Sequence, residues 1–174
     1  MKGLIHIYCG DGKGKTSSAL GLAVRAAGAN KRVLIIRFLK NNDSGELNSL
    51  SYIPNITMIS CEKSFGFFWN MTPEQKIEAK ETYSNYLQET IQRVKKEQFD
   101  VLVMDEVIAT YNHEFVDQKE FVDFLSTKPE QLEVILTGRN PAKELLELAD
   151  YVSNIQKVKH PYDIGIPARD GIEY

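Results

Sequence analysis

The chain contains 174 residues, and its 21 Lys and Arg against 24 Asp and Glu give a formal net charge of −3. This length predicts a single domain over residues 1–174, and the mildly negative balance argues against a protein that binds nucleic acid through bulk charge. No stretch approaches the roughly 18 apolar residues of a membrane helix, and no signal-peptide pattern is visible. Cys9 and Cys61 form no disulfide framework, so we expect a reducing, cytoplasmic location.

The first third of the chain alternates short apolar runs with helix-forming or polar segments. Residues 4–9 form a β-leaning apolar run, and residues 16–29, rich in Ala and Leu, predict a helix. Residues 32–38 are almost continuously apolar, as expected of a parallel strand covered on both faces. Residues 40–50 are polar and predict a loop, and residues 56–60 predict a weaker strand.

A long helix is the clearest feature in the middle of the chain. It follows an aromatic cluster at residues 65–69, for which we predict a loop, and it begins with Thr72 as N-cap and Pro73 as the first helical residue. Helical spacing of apolar residues extends it to about Glu97. The charged residues along it predict a solvated outer face. Its apolar positions are Ile77, Tyr83, Leu87, Ile91 and Val94.

The last part of the chain returns to alternation. Residues 101–104 predict a buried strand, residues 118–126 a short helix and residues 133–137 another strand. Pro141 opens a helix that reaches residue 149, and residues 151–158 predict a last strand before a tail that contains Pro and Gly. Strands that alternate with helices predict an α/β fold with a mostly parallel sheet.

A turn rich in Gly and Lys separates the first predicted strand from the first predicted helix. Glycines let backbone N–H groups turn toward phosphate oxygens, and a helix N-terminus adds donors and partial positive charge. Lys15 can reach terminal phosphates, and Thr16 can place its hydroxyl on Mg²⁺. The turn therefore predicts a P-loop that binds the phosphates of a nucleotide. It consists of Gly10, Asp11, Gly12, Lys13, Gly14, Lys15 and Thr16.

The match to the common P-loop pattern G-x-x-x-x-G-K-[ST] is imperfect. Cys9 occupies the position of the first glycine, and Gly10 follows one residue later. The alternative is a Gly-rich strand-to-helix turn with solvated lysines. The position of the turn between a strand and a helix favours the P-loop.

Two acids, Asp105 and Glu106, close the strand of residues 101–104. In P-loop proteins an acid at the end of a neighbouring strand lies beside the phosphate loop and binds Mg²⁺ directly or through water. A pair of solvated carboxylates is the alternative. The phosphate-binding loop earlier in the chain favours the metal-binding role.

Together these residues resemble the P-loop class of ATP:corrinoid adenosyltransferases. The loop matches the family's own variant, including the shifted first glycine. The resemblance covers nearly the whole chain, and it implies a P-loop NTPase-like, RecA-like three-layer sandwich around a mostly parallel central sheet. The tail is the most distinctive part. The other matching stretches, in order, are residues 37–40, 66–69, 104–106, 136–139, 158–165 and 171–174.

The sequence also departs from the family's pattern. Three residues precede Leu4, whereas many members carry extra residues there that help to cover the site. Asn41 and Ser17 stand where Gly and a second Thr are common. Asn112 and His113 occupy a segment that usually contains Gly. These departures concern the cover of the site and local loop shapes.

The resemblance implies transfer of the 5′-deoxyadenosyl group of ATP, as co-substrate, to the cobalt(I) of a reduced corrinoid, with release of triphosphate. Cobalt(I) is itself the nucleophile, so the protein has to position the substrates and stabilise the leaving group. Lys15 and Lys13 are the expected catalytic residues. Thr16, Glu106 and Asp105 are the expected Mg²⁺ ligands.

The resemblance also implies further contacts to the two substrates. Phe67 and Trp69 match aromatic residues near the corrin, where they would exclude the lower axial ligand of cobalt; packing in the core is the alternative. Each remaining candidate could contact the nucleotide or the corrinoid, or could instead be solvated or cap the tail. These candidates are Ser17, Arg25, Lys40, Arg139 and His160.

The expected partners follow from the same resemblance. It implies an electron donor such as a flavoprotein and a homodimer, and we expect no nucleic-acid or membrane partner. Two other functions are compatible with the loop and the two acids. One is a P-loop kinase or ATPase, which transfers the γ-phosphoryl group, and the other is a non-catalytic carrier of a corrinoid or a nucleotide.

Overall fold

The computed structural model describes residues 2–39, 44–61, 63, 65–66 and 68–173, with only the backbone of Trp69. Within these residues, strands and helices alternate as the sequence predicts. The strands are β1 Ile5–Cys9, β2 Val33–Arg37, β3 Ile56–Ser60, β4 Val101–Asp105, β5 Glu133–Thr137 and β6 Tyr151–Asn154. The α-helices are α1 Lys15–Gly28, α2 Glu46–Leu50, α3 Pro73–Glu97, α4 Val107–Asn112, α5 Gln118–Thr127 and α6 Lys143–Leu148. Short 3₁₀ turns occupy Phe68–Asn70 and Pro161–Ile164.

The strands form one parallel sheet in the order β3-β2-β4-β5-β1-β6. The strand that leads into the glycine-rich loop, β1, lies between β5 and β6, and β4 with its terminal acid lies between β2 and β5. Because all strands run in the same direction, their carboxyl ends meet at one edge of the sheet. Ligands of open α/β folds bind at this edge.

Helices cover both faces of the sheet and make three layers. On one face, Ala19, Ala23 and Ala27 of α1 are buried against alternate strand residues such as Val33 and Ile35. Their small side chains, spaced four residues apart, share one side of the helix, which lets α1 lie close to the sheet. Helices α3 to α6 contribute to the core on the other face. The predicted α/β fold with a parallel sheet is confirmed.

The long helix α3 begins where the sequence predicts. The hydroxyl of Thr72 accepts a hydrogen bond from Gln75 N at 3.2 Å, and Gln75 Oε1 accepts one from Thr72 N at 2.9 Å. This capping box satisfies backbone donors that a helix start leaves free. One predicted core position is wrong, because Ile77 is 71% exposed. Ile77 precedes the buried Ala79 by two residues, which is about 200° around the helix, so Ile77 lies on the opposite, exposed side.

Four predicted boundaries need correction. The polar stretch 40–50 contains helix α2, and helix α4 begins directly after Glu106, where no helix is predicted. The predicted helix 141–149 is shorter, at Lys143–Leu148. The predicted strand 151–158 ends at Asn154. After that residue, Ile155 N still donates to the carbonyl oxygen of Cys9 at the end of β1, but the carbonyl oxygen of Ile155 accepts from Gly12 N of the glycine-rich loop, because β1 has ended.

Across the part of the chain that the structure describes, none of the helices combines the length and the apolar character that crossing a membrane requires.

Candidate nucleotide-binding site

The backbone of the glycine-rich loop explains why glycine is needed in it. Gly10 and Gly14 have φ of 110° and 116°, in the left-handed region that side chains disfavour. A Cβ on Gly10 would lie 2.3 Å from the carbonyl oxygen of Ile155. Gly12 N donates to the same carbonyl at 2.8 Å. The loop therefore lies against the chain segment that follows β6, and only glycine permits this approach.

Lys15 lies inside the loop. Its side chain belongs to a residue that is 8% exposed, and Nζ donates to the carbonyl oxygen of Gly12 at 2.9 Å. Burial lowers the pKa of Lys15; the charge of Glu106 opposes this shift, whereas the charge of Arg139 adds to it. A cation that is desolvated and held by one carbonyl gains strongly from an anionic ligand.

A hydroxyl–carboxylate chain joins the start of α1 to the ends of two neighbouring strands. The hydroxyl of Thr16 donates to Asp105 Oδ1 at 2.8 Å, and the hydroxyl of Thr137 donates to the same oxygen at 2.6 Å. Thr137 Oγ1 in turn accepts from Glu106 N at 2.8 Å. Asp105 is 1% exposed, so these bonds fix the orientation of a buried carboxylate.

Glu106 adopts an unusual backbone conformation at the edge of the site. Its φ of 60° is left-handed, and it directly precedes helix α4. Next to it, Gly138 has φ of 149°, and a Cβ there would lie 2.6 Å from Cβ of Ile108. Helix α4 therefore packs directly on the backbone after β5. Glu106 and the loop that follows β5 therefore lie together at the carboxyl edge of the sheet.

Lys15, Thr16 and Glu106 line one cleft of about 1090 Å³, whereas Asp105 is buried and reaches it only through its bond from Thr16. The cleft lies at the carboxyl edge of the sheet and is lined by the phosphate loop, the first residues of α1, the start of α2 and the tail. Its size is typical of a site for a small-molecule ligand. The predicted site residues that line it are Asp11, Gly12, Lys13, Gly14, Lys15, Thr16, Ser17, Glu106, Arg139 and His160.

Other predicted site residues are placed differently. Arg25 is exposed in the last turn of α1, ten residues after Lys15, which is about 15 Å along the helix axis, so the structure does not bring it to the loop. Gly10 supports the loop from behind through its contact with Ile155. Lys40 and Phe67 lie outside the described residues, as does the side chain of Trp69.

His160 caps a turn of the tail and lines the cleft, and its contact with the corrinoid stays a prediction. Its Nδ1 accepts a hydrogen bond from Tyr162 N at 3.2 Å, which caps the 3₁₀ turn of the tail, and the residue also lines the cleft. Asp11 likewise bonds to the tail, because its Oδ1 accepts from Lys157 N at 3.0 Å. The tail is thus a wall of the cleft.

Three site features are not predicted from the sequence. Thr137 orients Asp105, Arg37 holds the opposite wall, and Glu173 contacts Lys13. Arg37 is 4% exposed, and its Nη2 donates to Ser44 Oγ at 2.7 Å and lies 3.3 Å from Glu46 Oε1. The available signal for Thr137 and Arg37 is their position as polar residues at the ends of otherwise apolar strands.

The ligand atoms around Asp105 fit a magnesium ion. Hydroxyl and carboxylate oxygens from Thr16, Asp105 and Glu106 are the hard donors that Mg²⁺ prefers. Within the described ranges, no group of three or more His, Cys, Asp or Glu side chains could hold a metal alone. Mg²⁺ commonly uses one or two carboxylates and completes its shell with water and substrate phosphates, so this limited set suits a nucleotide-bound ion.

Comparison with solved structures defines the class. A KaiC-like protein from Pyrococcus horikoshii superposes with a TM-score of 0.60 at 15% identity, covering 91% of this chain and 75% of that one. The cytoplasmic domain of EssC gives a TM-score of 0.55 at 16% identity, covering 99% of this chain and 37% of that one. At these identities the likeness shows the fold, which is that of the P-loop NTPases. The chain therefore has a P-loop NTPase-like fold, with the glycine-rich loop at the carboxyl edge of its sheet.

Comparison of sequences defines the family. The family model for ATP:corrinoid adenosyltransferase BtuR/CobO/CobP matches residues 1–174. Corrinoid adenosyltransferases of Escherichia coli strain K12 and Salmonella typhimurium strain LT2 are each 33% identical to this chain, over 99% of its length and 86% of theirs. The chain therefore belongs to the ATP:corrinoid adenosyltransferase family, which is a family of transferases.

Proposed function

We propose that this protein transfers the 5′-deoxyadenosyl group of ATP to the cobalt(I) of a reduced corrinoid and releases triphosphate, in the formation or salvage of adenosylcobalamin. The observation that carries the proposal is the cleft lined by Lys15 and by Thr16, whose hydroxyl donates to the buried Asp105, in a chain that matches the adenosyltransferase family over residues 1–174. A triphosphate is the ligand that such a cleft suits best.

Lys15 is proposed to bind the departing triphosphate. Its ammonium donates to the carbonyl oxygen of Gly12, a neutral acceptor. Exchange of that acceptor for a phosphate oxygen creates a charge-assisted bond in a buried place, where it is strong. The leaving group carries the electrons of the broken C5′–O bond, and a cation bound to the triphosphate stabilises that charge.

The nucleophile comes from the corrinoid substrate. Cobalt(I) supplies the electron pair of the new Co–C5′ bond, and the C5′–O bond to the triphosphate breaks with its pair remaining on oxygen. The protein therefore has to hold the C5′ carbon, the cobalt and the leaving oxygen in line, and to keep water away. The backbone-fixed wall formed by the phosphate loop contributes to this positioning.

Thr16, Asp105 and Glu106 are proposed to hold Mg²⁺ with the nucleotide. When bound, the ion neutralises charge on the triphosphate and so makes it a better leaving group. The protein's own contribution is to fix Asp105 through two hydroxyl donors, Thr16 and Thr137. These two bonds fix the direction of the carboxylate next to Thr16, which lines the cleft.

The loop that carries Phe67 and Trp69 is proposed to face the corrin. Support comes from its described neighbours, which are anchored to the core: Phe68 stacks on His113 with centroids 3.8 Å apart, and Phe65 packs on Tyr83 at 5.7 Å. An anchored aromatic loop can present an apolar surface that offers no axial ligand to cobalt. Loss of that ligand makes the reduction of cobalt(II) to cobalt(I) easier.

Partner and location also remain proposals. A one-electron donor such as a flavoprotein is needed to supply cobalt(I) from cobalt(II). A homodimer in the cytoplasm is the proposed working state. Exposed apolar side chains on β6 and the tail provide surface that a second copy could cover, because such patches commonly mark interfaces. They include Tyr151, Val152, Val158 and Tyr162.

One experiment tests the reaction itself. Incubation with ATP, Mg²⁺ and chemically reduced cobalamin should yield a light-sensitive adenosylated corrinoid and inorganic triphosphate in equal amounts. Formation of ADP and phosphate in place of these products would indicate a kinase or ATPase, and binding without turnover would indicate a carrier. Lys15→Ala, assayed in parallel, shows whether the product depends on the loop.

A second experiment tests the aromatic loop. Trp69→Ala should reduce the rate mainly when the substrate is cobalt(II) corrinoid with a reductant, and much less when cobalt(I) is supplied chemically. The reason is that only the first assay includes the reduction step. An equal loss in both assays, together with a lower melting temperature, would contradict the proposed role and favour core packing.

A further inference from the structure

The end of the tail places a carboxylate in the phosphate cleft. Lys13 Nζ donates to Glu173 Oε1 at 3.0 Å, although the two residues are 160 positions apart. Both residues line the cleft. The side chain of Lys13 is 46% exposed and that of Glu173 only 18%. One cation of the phosphate loop therefore has an anionic partner within the chain itself.

Arg169 holds this carboxylate in place. Glu173 Oε2 accepts hydrogen bonds from Arg169 N at 2.9 Å and Nε at 3.1 Å, and Glu173 Oε1 accepts one from Nη2 at 3.0 Å. The paired donors of a guanidinium fix a carboxylate in direction as well as in distance. The hydrogen bonds from Arg169 and then Lys13 lower the pKa of Glu173 to about 2. The carboxylate is thus a fixed negative charge at any working pH.

The contact between Lys13 and Glu173 is separate from the bonds that hold the tail to the loop. Those bonds join Gly12 N to Ile155 O at 2.8 Å and Lys157 N to Asp11 Oδ1 at 3.0 Å, both at the beginning of the tail. Glu173 lies at the other end, in a turn that its own bonds to Arg169 stabilise. The pair can therefore separate without detaching the tail.

A carboxylate and a phosphate oxygen compete for the same lysine ammonium group. Both are anionic acceptors of a charge-assisted hydrogen bond from an ammonium group. They also repel each other across a short distance. A triphosphate that enters the cleft must therefore either displace Glu173 from Lys13 or share the lysine with a like charge. Either way, the carboxylate lowers the affinity of the cleft for triphosphate.

We propose that Glu173 is a positioning residue that competes with phosphate for Lys13 and thereby promotes the release of inorganic triphosphate. This inference rests on the proposed function, since it takes triphosphate as the product. Inorganic triphosphate is a highly charged product that binds where the triphosphate of ATP binds. It must therefore leave before the next ATP can bind. When triphosphate leaves, Glu173 can pair with Lys13 again. While triphosphate occupies the cleft, Arg169 neutralises the charge of Glu173.

The direct test measures binding of inorganic triphosphate, with Mg²⁺, to the full chain by calorimetry. Glu173→Gln keeps the size and the hydrogen-bonding oxygen but removes the charge. It should bind triphosphate about two- to fivefold more tightly than the wild type, as expected for one exposed ion pair. The difference should shrink in high salt, which screens such pairs. In the adenosyl-transfer assay the same variant should be inhibited by lower triphosphate concentrations.

Asp163→Asn is the matched control. Asp163 forms an ion pair of similar length with Lys157 Nζ, 2.9 Å, in the same tail, but it does not line the cleft. The control should bind triphosphate as the wild type does. Glu173→Gln should also lose its effect in a Lys13→Ala background, because a double-mutant cycle isolates the pair. Glu173→Ala provides a second variant in which the same direction is expected.

The outcomes separate the two proposals. Unchanged or weaker binding by Glu173→Gln, or an equal gain in Asp163→Asn, would overturn the competition, because the first indicates a structural role and the second a general charge effect. A gain that persists without Lys13 would overturn it as well. If the wild type forms no adenosylated corrinoid from ATP and cobalt(I) corrinoid, the proposed function fails, and this inference fails with it.

Discussion

The phosphate-binding loop and the tail form adjacent walls of one cleft, yet different forces hold them. The loop is fixed by its backbone: Gly10 lies too close to the carbonyl of Ile155 for any side chain, and Lys15 is buried. The end of the tail is held by side-chain ion pairs at the surface, through Arg169 and Glu173. Backbone packing tolerates little change, whereas exposed ion pairs can exchange partners. The cleft thus has one wall, the phosphate loop, that is fixed by its backbone, and another, the end of the tail, whose ion pairs can exchange partners.

The largest expected effect is on the phosphate loop. Lys15→Ala should reduce adenosyl transfer by at least about 100-fold, the usual cost of removing one donor that stabilises a leaving oxyanion. The fold should remain, because the hydrogen bond that the side chain donates is a local one, to the carbonyl of Gly12 three residues earlier. Product formation and a thermal melt measure the two effects. Retained activity would contradict the assignment of the loop.

A pair of glycine substitutions compares the two walls directly. Gly10→Ala adds a Cβ 2.3 Å from a backbone oxygen at a φ of 110°, so we expect more than tenfold weaker ATP binding and a lower melting temperature. Gly171→Ala has φ of 69° but no atom within 4 Å of the new Cβ, so only backbone strain of about 1 kcal/mol is expected. Equal effects of the two changes would refute the contrast between the walls.

A substitution of Thr137 tests the hydrogen bonds that hold Asp105 and Glu106 next to the phosphate loop. Thr137→Val removes the hydroxyl that donates to Asp105 Oδ1 and accepts from Glu106 N. We expect a loss of about 1.5–3 kcal/mol of stability, because the lost bond involves a charged group and the amide is left without that acceptor. A higher Mg²⁺ requirement should accompany it. Thr137→Ser should restore both properties.

The control for this change is Thr127→Val. The hydroxyl of Thr127 donates to the carbonyl of Asp123 at 2.7 Å at the exposed end of α5. Its loss should cost well under the value for Thr137 and should leave the Mg²⁺ requirement unchanged. A similar rise in that requirement for both variants would show that the effect is not specific to the network around Asp105.

The smallest expected effect is a pH dependence of the phosphate loop. Burial lowers the pKa of Lys15, so the free protein loses this proton at a lower pH than an ordinary lysine does. Only the charged form attracts triphosphate, and affinity should therefore decline as the pH rises from 7 toward 10. Calorimetry in this range measures it. Lys15→Arg keeps its charge and should show a flatter profile; parallel profiles would contradict the explanation.

The strands and the loop could be predicted because each depends on neighbouring residues. Residues 33–37 are buried on both faces, and their continuous apolar pattern shows it. Two short helices could not be predicted in the same way. Helix α2 has one buried residue, Leu50, and helix α4 follows a residue with a left-handed backbone. Short helices depend on tertiary packing more than on propensity.

Residues of the candidate site could likewise be predicted where they belong to a local sequence pattern, and not where their position depends on the tertiary structure. Lys15, Thr16, Asp105 and Glu106 could be identified because a P-loop and a strand-terminal acid have local patterns. Arg25 also looked close in sequence, but ten helical residues separate it from the loop in space. Roles for Lys40, Phe67 and Trp69 stay predictions, as do the single domain, the magnesium ion, the homodimer and the electron donor.

By itself the sequence determined the alternation of strands and helices, the glycine-rich loop and the family, because all of these are contained in local order and spacing. Only the tertiary structure decided which distant groups share the cleft. Glu173 meets Lys13 across 160 positions, and Ile155 closes on Gly10, because β6 adds beside β1 and returns the tail to the loop. Contacts of this kind depend on strand order, which no local pattern records.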